Sequence, residues 1–99
     1  MKILITGGKG FIGSKIVEML CKDHKITVVD NEDTYDIMTK KQLGKLYAWR
    51  TRNWNRNNVQ VITGDVLDRL ICLKAFSHNP DIVIHLSLIH ISEPTRQRV

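Results

Sequence analysis

Gly7, Gly10 and Gly13 recur at intervals of three within Thr6-Gly7-Gly8-Lys9-Gly10-Phe11-Ile12-Gly13, directly after the apolar run Lys2–Thr6. A side chain at the first of these positions would obstruct a tight strand-to-helix turn. One at Gly10 would hold the backbone away from a bound diphosphate, and one at Gly13 would push the following helix off its strand. An anion lodged in such a turn meets unpaired N–H groups at the positive end of the helix. Without a ligand, the same residues make an ordinary tight loop.

A carboxylate answers the glycines. Asp30 closes the second apolar run, seventeen residues after Gly13. There it can accept hydrogen bonds from both hydroxyls of an adenosine ribose, and it would repel a 2′-phosphate, which favours NAD over NADP. A third feature is Gly64-Asp65-Val66, after the third apolar run. Carboxyl ends of parallel strands line ligand crevices, so Asp65 could accept from an adenine amino group while the Val66 amide donates to the ring. A Gly-Asp turn capping the next helix accounts for the same residues equally well.

Elements that position these groups are legible. The runs Lys2–Thr6, Ile26–Asp30, Val59–Thr63 and Asp81–Leu86 are short, nearly continuous in Ile, Val and Leu, and closed by turn or polar residues. That habit belongs to parallel strands buried on both faces. Between the first two, Ile12, Ile16 and Leu20, with Val17 and Cys21 beside them, set an apolar stripe along residues 11–23, leaving Lys15, Glu18 and Lys22 to water. Thr39-Lys40-Lys41-Gln42 reads as a capping box opening a second helix. Leu43, Leu46, Tyr47 and Trp54 are expected on or near its apolar face, with Trp49 partly exposed. Asp68 is the expected N-cap of a third helix bearing Ile71, Cys72, Leu73, Ala75 and Phe76, and Asn79-Pro80 ends it. The order β-α-β-α-β-α-β with right-handed crossovers gives an α/β fold, a partial Rossmann-type doubly wound parallel sheet of about four strands and three helices. Its expected strand order is 3-2-1-4.

The whole composition agrees with a single soluble domain. Of 99 residues, 42% are apolar and 25% charged, which excludes a disordered or collagen-like chain. Cys21 and Cys72 are too few for a disulfide framework and read as small core residues in a reducing compartment. No signal-peptide pattern or membrane-length apolar run occurs, so a cytoplasmic protein with no membrane partner is expected. The net charge is +5, and six of the fifteen basic residues (Lys40, Lys41, Lys45, Arg50, Arg52, Arg56) form an acid-free cluster. A solvated helix face and exit loop explains this cluster more simply than a nucleic-acid patch.

Thr6–Gly13, Val29-Asp30-Asn31, Gly64–Asp68 and Pro80-Asp81-Ile82-Val83-Ile84-His85-Leu86 together resemble the NAD-dependent epimerase/dehydratase family, extended short-chain dehydrogenases that act on nucleotide sugars. The resemblance covers residues 1 to about 86 and has the family's GxxGxxG spacing. It implies NAD as cofactor, a nucleotide-sugar substrate and a homodimeric parent protein. It also implies that Phe11 and Ile12 flank the pyrophosphate through their backbones, that Asn31 joins Asp30 at the ribose, and that Leu86 begins the segment under the cofactor.

Two departures accompany the resemblance. In this family a Tyr-x-x-x-Lys pair and a Ser or Thr do the chemistry, the tyrosine exchanging a proton with a sugar hydroxyl while hydride passes to the nicotinamide. Neither Tyr35 nor Tyr47 has a lysine four residues on; positions 39 and 51 are Thr39 and Thr51, so no catalytic residue is assigned. The string Leu86-Ser87-Leu88-Ile89-His90-Ile91-Ser92-Glu93-Pro94-Thr95-Arg96 resembles a translated transposase-type sequencing adapter. The expected organisation is therefore residues 1–86 as the N-terminal part of an NAD(P)-binding Rossmann domain, cut before its catalytic residues, and 87–99 as a non-native tail. A sheet ending at an uncovered apolar fourth strand should self-associate.

Other constellations are weaker. His85 and His90 are five apart in a strand-like stretch and point to opposite faces, while His24 and His78 fall in turns, so no metal set is expected. Trp49 and Trp54 among arginines could stack bases, but core and rim roles fit them better. The alternative to an enzyme half is a non-catalytic dinucleotide-binding or sensing module that meets partners through Lys40–Arg56.

Overall fold

The computed structural model describes residues 1–31 and 39–86. Tyr35, His90 and the tail from Ser87 onward lie outside the described residues. Strands β1 (Lys2–Thr6), β2 (Lys25–Asp30), β3 (Val59–Thr63) and β4 (Ile82–His85) alternate with helices α1 (Phe11–Leu20), α2 (Lys40–Arg50) and α3 (Arg69–Phe76), with a 3₁₀ turn at Arg56–Asn58 before β3. The strands form one parallel sheet ordered β3-β2-β1-β4. Successive connections leave β1 in opposite directions, so a topological switch point falls between β1 and β4 at the carboxyl edge.

Strand alternation divides the core between the two faces of the sheet. Ile3 and Ile5 of β1 join Ile26 and Val28 of β2 beneath Val17 of α1, Cys21 just past its end, and Trp54, all buried. On the opposite face, Leu4, Val29 and Ile62 pack against Ala75 of α3, with Val66 and Ile71 partly buried beside them. Only β1 and β2 are buried along most of their length. Val61 of β3 and Ile82 and Val83 of β4 stay exposed, since these are edge strands flanked by helix on one side at most. The expectation of strands buried on both faces therefore holds for the central pair and fails at the edges.

Three details of the helices correct the sequence reading. Helix α1 ends at Leu20, and Ile12 is 67% exposed rather than part of the buried stripe, because the first turn projects past the sheet edge; Gly13 and Ser14 are buried in its place. Glu18 sits half-buried, with Lys15 at 3.7 Å. Trp54 is buried, as expected, but it lies beyond the end of α2, swung back by the turn at Thr51–Asn53 so that its indole Nε1–H donates to the Ser14 carbonyl (3.0 Å). On α3 only Ala75 is fully buried, while Leu70, Leu73 and Phe76 face outward.

The other two helix starts form as their residues dictate. At α2, Thr39 Oγ1 accepts from the Gln42 amide (3.1 Å) and Gln42 Oε1 accepts from the Thr39 amide (3.0 Å), a complete capping box. At α3, Asp68 Oδ1 accepts from the Leu70 amide (2.9 Å). Among the described residues no helix is long and apolar enough to cross a membrane.

Candidate functional site

The chain leaves β1 through a turn that only glycine allows. Gly7 has φ +76°, and its amide donates to the Val29 carbonyl (2.7 Å), carrying the sheet ladder one step past the strand. The Gly10 amide then closes back on the Gly7 carbonyl (3.1 Å), and the Ser14 amide on the Gly10 carbonyl (2.9 Å), so helix follows turn without a spacer. A Cβ at Gly13 would meet the Gly7 carbonyl oxygen, which packs the first turn of α1 against the loop itself rather than against a strand. A Cβ at Gly7 would strike the Leu86 carbonyl oxygen, because the Leu86 amide hydrogen-bonds Thr6 at both its carbonyl and hydroxyl oxygens (3.1 Å each) and brings that residue across the turn.

Gly10 is different. A Cβ there would touch only the Gly7 carbonyl, at 3.3 Å, and otherwise enter open space. Nothing in the described protein crowds it, so the bare backbone at Gly10 leaves room for something outside the chain. The same residue is the N-cap of α1, with no side-chain cap and no acid in the first turn. The amides of Phe11, Ile12 and Gly13 belong to that first turn, where helix geometry offers no internal acceptor. Thr39 and Asp68 fill this role at the other helices, whereas α1 begins without a side-chain cap. Phe11 and Ile12, both 67% exposed, stand beside it.

Asp30 is brought to this turn. Its Oδ2 accepts from the Lys9 amide (2.8 Å), so the carboxylate at the end of β2 sits against the glycine loop. Asn31 follows it, exposed. The Asp30 carbonyl accepts from the Gly64 amide (3.0 Å), tying the β3 exit to the same strand end. Asp65 and Val66 lie next along this edge, but Asp65 Oδ1 accepts from the Leu67 amide (2.9 Å) and its carbonyl from the Asp68 amide (2.9 Å). Its carboxylate thus organises the turn before α3, and Val66 is packed into the Leu4–Val29 cluster. The structure therefore gathers Gly7, Gly10, Phe11, Ile12, Gly13, Asp30 and Leu86 about one turn, with Asn31 adjacent, and sets Asp65 and Val66 to a neighbouring turn.

Several contacts at the site were not anticipated from sequence. Gly8 is buried, and a Cβ there would run into the Val28 side chain at 2.6 Å, so it is a packing glycine between loop and sheet. The Thr6 hydroxyl hydrogen-bonds His85 Nδ1 across the β1–β4 pair. Arg50 Nη1 donates to the Lys9 carbonyl (3.2 Å). The three arginines of the basic cluster are engaged within the fold, Arg52 stacking over Trp49 and donating to its carbonyl and Arg56 donating to Thr51 and lying over Trp54, while Lys40, Lys41 and Lys45 are exposed. Among the described residues, no three His, Cys, Asp or Glu side chains gather as a metal site.

An open glycine turn set by the switch point of a parallel sheet is the arrangement of a Rossmann-type unit. A sequence model described as the NAD dependent epimerase/dehydratase family matches residues 3–97, so the chain belongs to that family, whose cofactor is NAD. It is 33% identical over 96 residues to a putative UDP-arabinose 4-epimerase 4 of Arabidopsis thaliana, covering 94% of this chain and 21% of that protein. Among solved structures it resembles a UDP-N-acetylglucosamine 4-epimerase from Methanobrevibacter ruminantium M1 in complex with UDP-N-acetylmuramic acid, with TM-score 0.65 and 30% identity over 96% of this chain and 28% of that one. It also resembles the UDP-glucose 4-epimerase from Bifidobacterium longum in complex with NAD+ and UDP, with TM-score 0.62 and 27% identity over 97% of this chain and 28% of that one. The chain thus spans about a fifth to a quarter of the curated relatives it matches.

Proposed function

We propose that this chain binds NAD as the cofactor-holding part of a nucleotide-sugar epimerase or dehydratase. The observation that supports it most is the uncapped start of α1 at Gly10, where a side chain would enter open space. The Phe11, Ile12 and Gly13 amides take the diphosphate, favoured further by the positive end of the helix. Asp30, already held against the loop by the Lys9 amide, accepts from the adenosine ribose, with Asn31 beside it. Leu86, bonded to Thr6 across the turn, lies on the cofactor's underside.

Bound NAD supplies the hydride acceptor for chemistry at a sugar carbon. The chain itself binds and orients. Tyr47, on α2, is buried in the fold with the Lys9 ammonium over its ring. With no Tyr-x-x-x-Lys pair in the 99 residues, the proton transfer and sugar recognition of the whole protein are assigned to residues outside them.

Titration calorimetry with NAD tests the proposal. Saturable binding is expected, with NADP weaker because Asp30 repels its 2′-phosphate. A chain that is folded by far-UV circular dichroism and takes up neither nucleotide would overturn it.

A further inference from the structure

We infer that Arg50 and Tyr47, in the last turn of α2, are positioning residues for the glycine turn: they clamp Lys9 and so hold the loop amides set for a diphosphate. The inference rests on the reading of that turn as a diphosphate site.

Gly7-Gly8-Lys9-Gly10 carries one side chain, and glycine-rich backbone has much freedom to lose before it can present amides in a fixed array. Any outside grip on the tip of the turn must therefore act on Lys9 or on bare backbone. Three contacts with described residues hold Lys9. Its amide donates to Asp30 Oδ2 (2.8 Å), its carbonyl accepts from Arg50 Nη1 (3.2 Å), and its ammonium lies 4.6 Å from the centre of the Tyr47 ring. Two of these holds come from α2, forty residues further along the chain.

Both clamp residues are themselves fixed. Tyr47 is buried and Arg50 is half-buried at the end of its helix. The same segment reaches α1 a second time through the Trp54 indole bonded to the Ser14 carbonyl, one residue beyond the last glycine. Helix α2 and its exit loop thus brace the turn and the helix start together. Lys45, on the same helix but exposed, makes no such contact among the described residues and serves as a charge control.

The test is NMR titration of the full 99-residue chain with ADP, which carries the diphosphate, and with adenosine, which does not. Arg50→Met is expected to weaken ADP binding about tenfold, the effect of losing one charge-assisted hydrogen bond, and to leave adenosine binding unchanged. Lys45→Met, which removes the same formal charge, is expected to change neither. Equal ADP affinity in Arg50→Met and the parent chain overturns the inference, as does an equal loss of adenosine or an ADP loss matched by Lys45→Met. If the parent chain binds no ADP at all, the diphosphate reading itself falls and takes the clamp with it, a result distinct from binding that ignores Arg50. A readout independent of the variants keeps the test alive should Arg50→Met unfold: in the parent chain ADP is expected to shift the Arg50 Nε–H resonance and adenosine is not. An Arg50 resonance unmoved at saturating ADP contradicts the clamp.

Discussion

At Gly13 one methyl group would meet the Gly7 carbonyl oxygen well inside contact distance, and since that oxygen is backbone and the backbone fixes a Cβ, neither can rotate away. Gly13→Ala is expected to lower stability by on the order of 1–3 kcal/mol, read by urea denaturation, and to abolish NAD binding by displacing the first turn of α1. Asp30→Asn keeps an acceptor for the Lys9 amide and so should leave stability nearly unchanged, but it removes the charge proposed to meet the ribose. NAD affinity is expected to fall about tenfold and the preference over NADP to shrink or vanish, both measurable by calorimetry. Single residues were legible where chemistry demands one type at one place. The glycine spacing qualifies, since a Cβ at Gly7 or Gly13 would meet a backbone oxygen, and Asp30 does end its strand against the glycine loop. Gly8 was not legible, because its reason is the Val28 side chain of the next strand, a neighbour in space alone. The Asp65 pattern was ambiguous for a related reason: Gly-Asp makes a turn whether or not a base lies beyond it, and here the carboxylate is bonded within its own turn.

The helices differ in how much of each could be read. Capping chemistry is local, a matter of side chains within three residues of the backbone they bond, so Thr39, Gln42 and Asp68 were placed correctly. Which face is buried depends on what covers it, and there the pattern misled: Ile12, Leu73 and Phe76 fit apolar stripes yet stand exposed. Trp54 shows both sides. Its burial was expected, but not its reversal after α2 to bond the Ser14 carbonyl, which is forty residues away in sequence. Trp54→Phe removes that donor and part of the indole from the core. It is expected to lower stability by about 1–3 kcal/mol and to loosen the start of α1, seen as faster amide hydrogen exchange at Val17 and Glu18.

For the whole molecule, the order β3-β2-β1-β4 followed from two rules, right-handed crossovers and helices packed on both faces, and it held. Topology was legible because it depends on element order; edge exposure was not, because it depends on what flanks each strand. Strand β4 lies at one edge with Ile82 and Val83 43% and 46% exposed, and the outer side of α3 carries Leu70, Leu73 and Phe76. An apolar edge strand with unpaired backbone groups is a template for a second copy. We propose that the chain self-associates through it; sedimentation at tens of micromolar should show species larger than a monomer, and Val83→Lys should shift them toward monomer. A monodisperse monomer in the unaltered chain would contradict this.

The central claim concerns place: a dinucleotide lies on the bend between β1 and α1, at the carboxyl edge of the sheet. Backbone amide shifts during an NAD titration test it most directly. The account expects the largest changes at Phe11, Ile12 and Gly13, with Asn31 following. Changes confined to the opposite edge, around Lys2, Lys25 and Asn79, or none at saturating NAD, would contradict it.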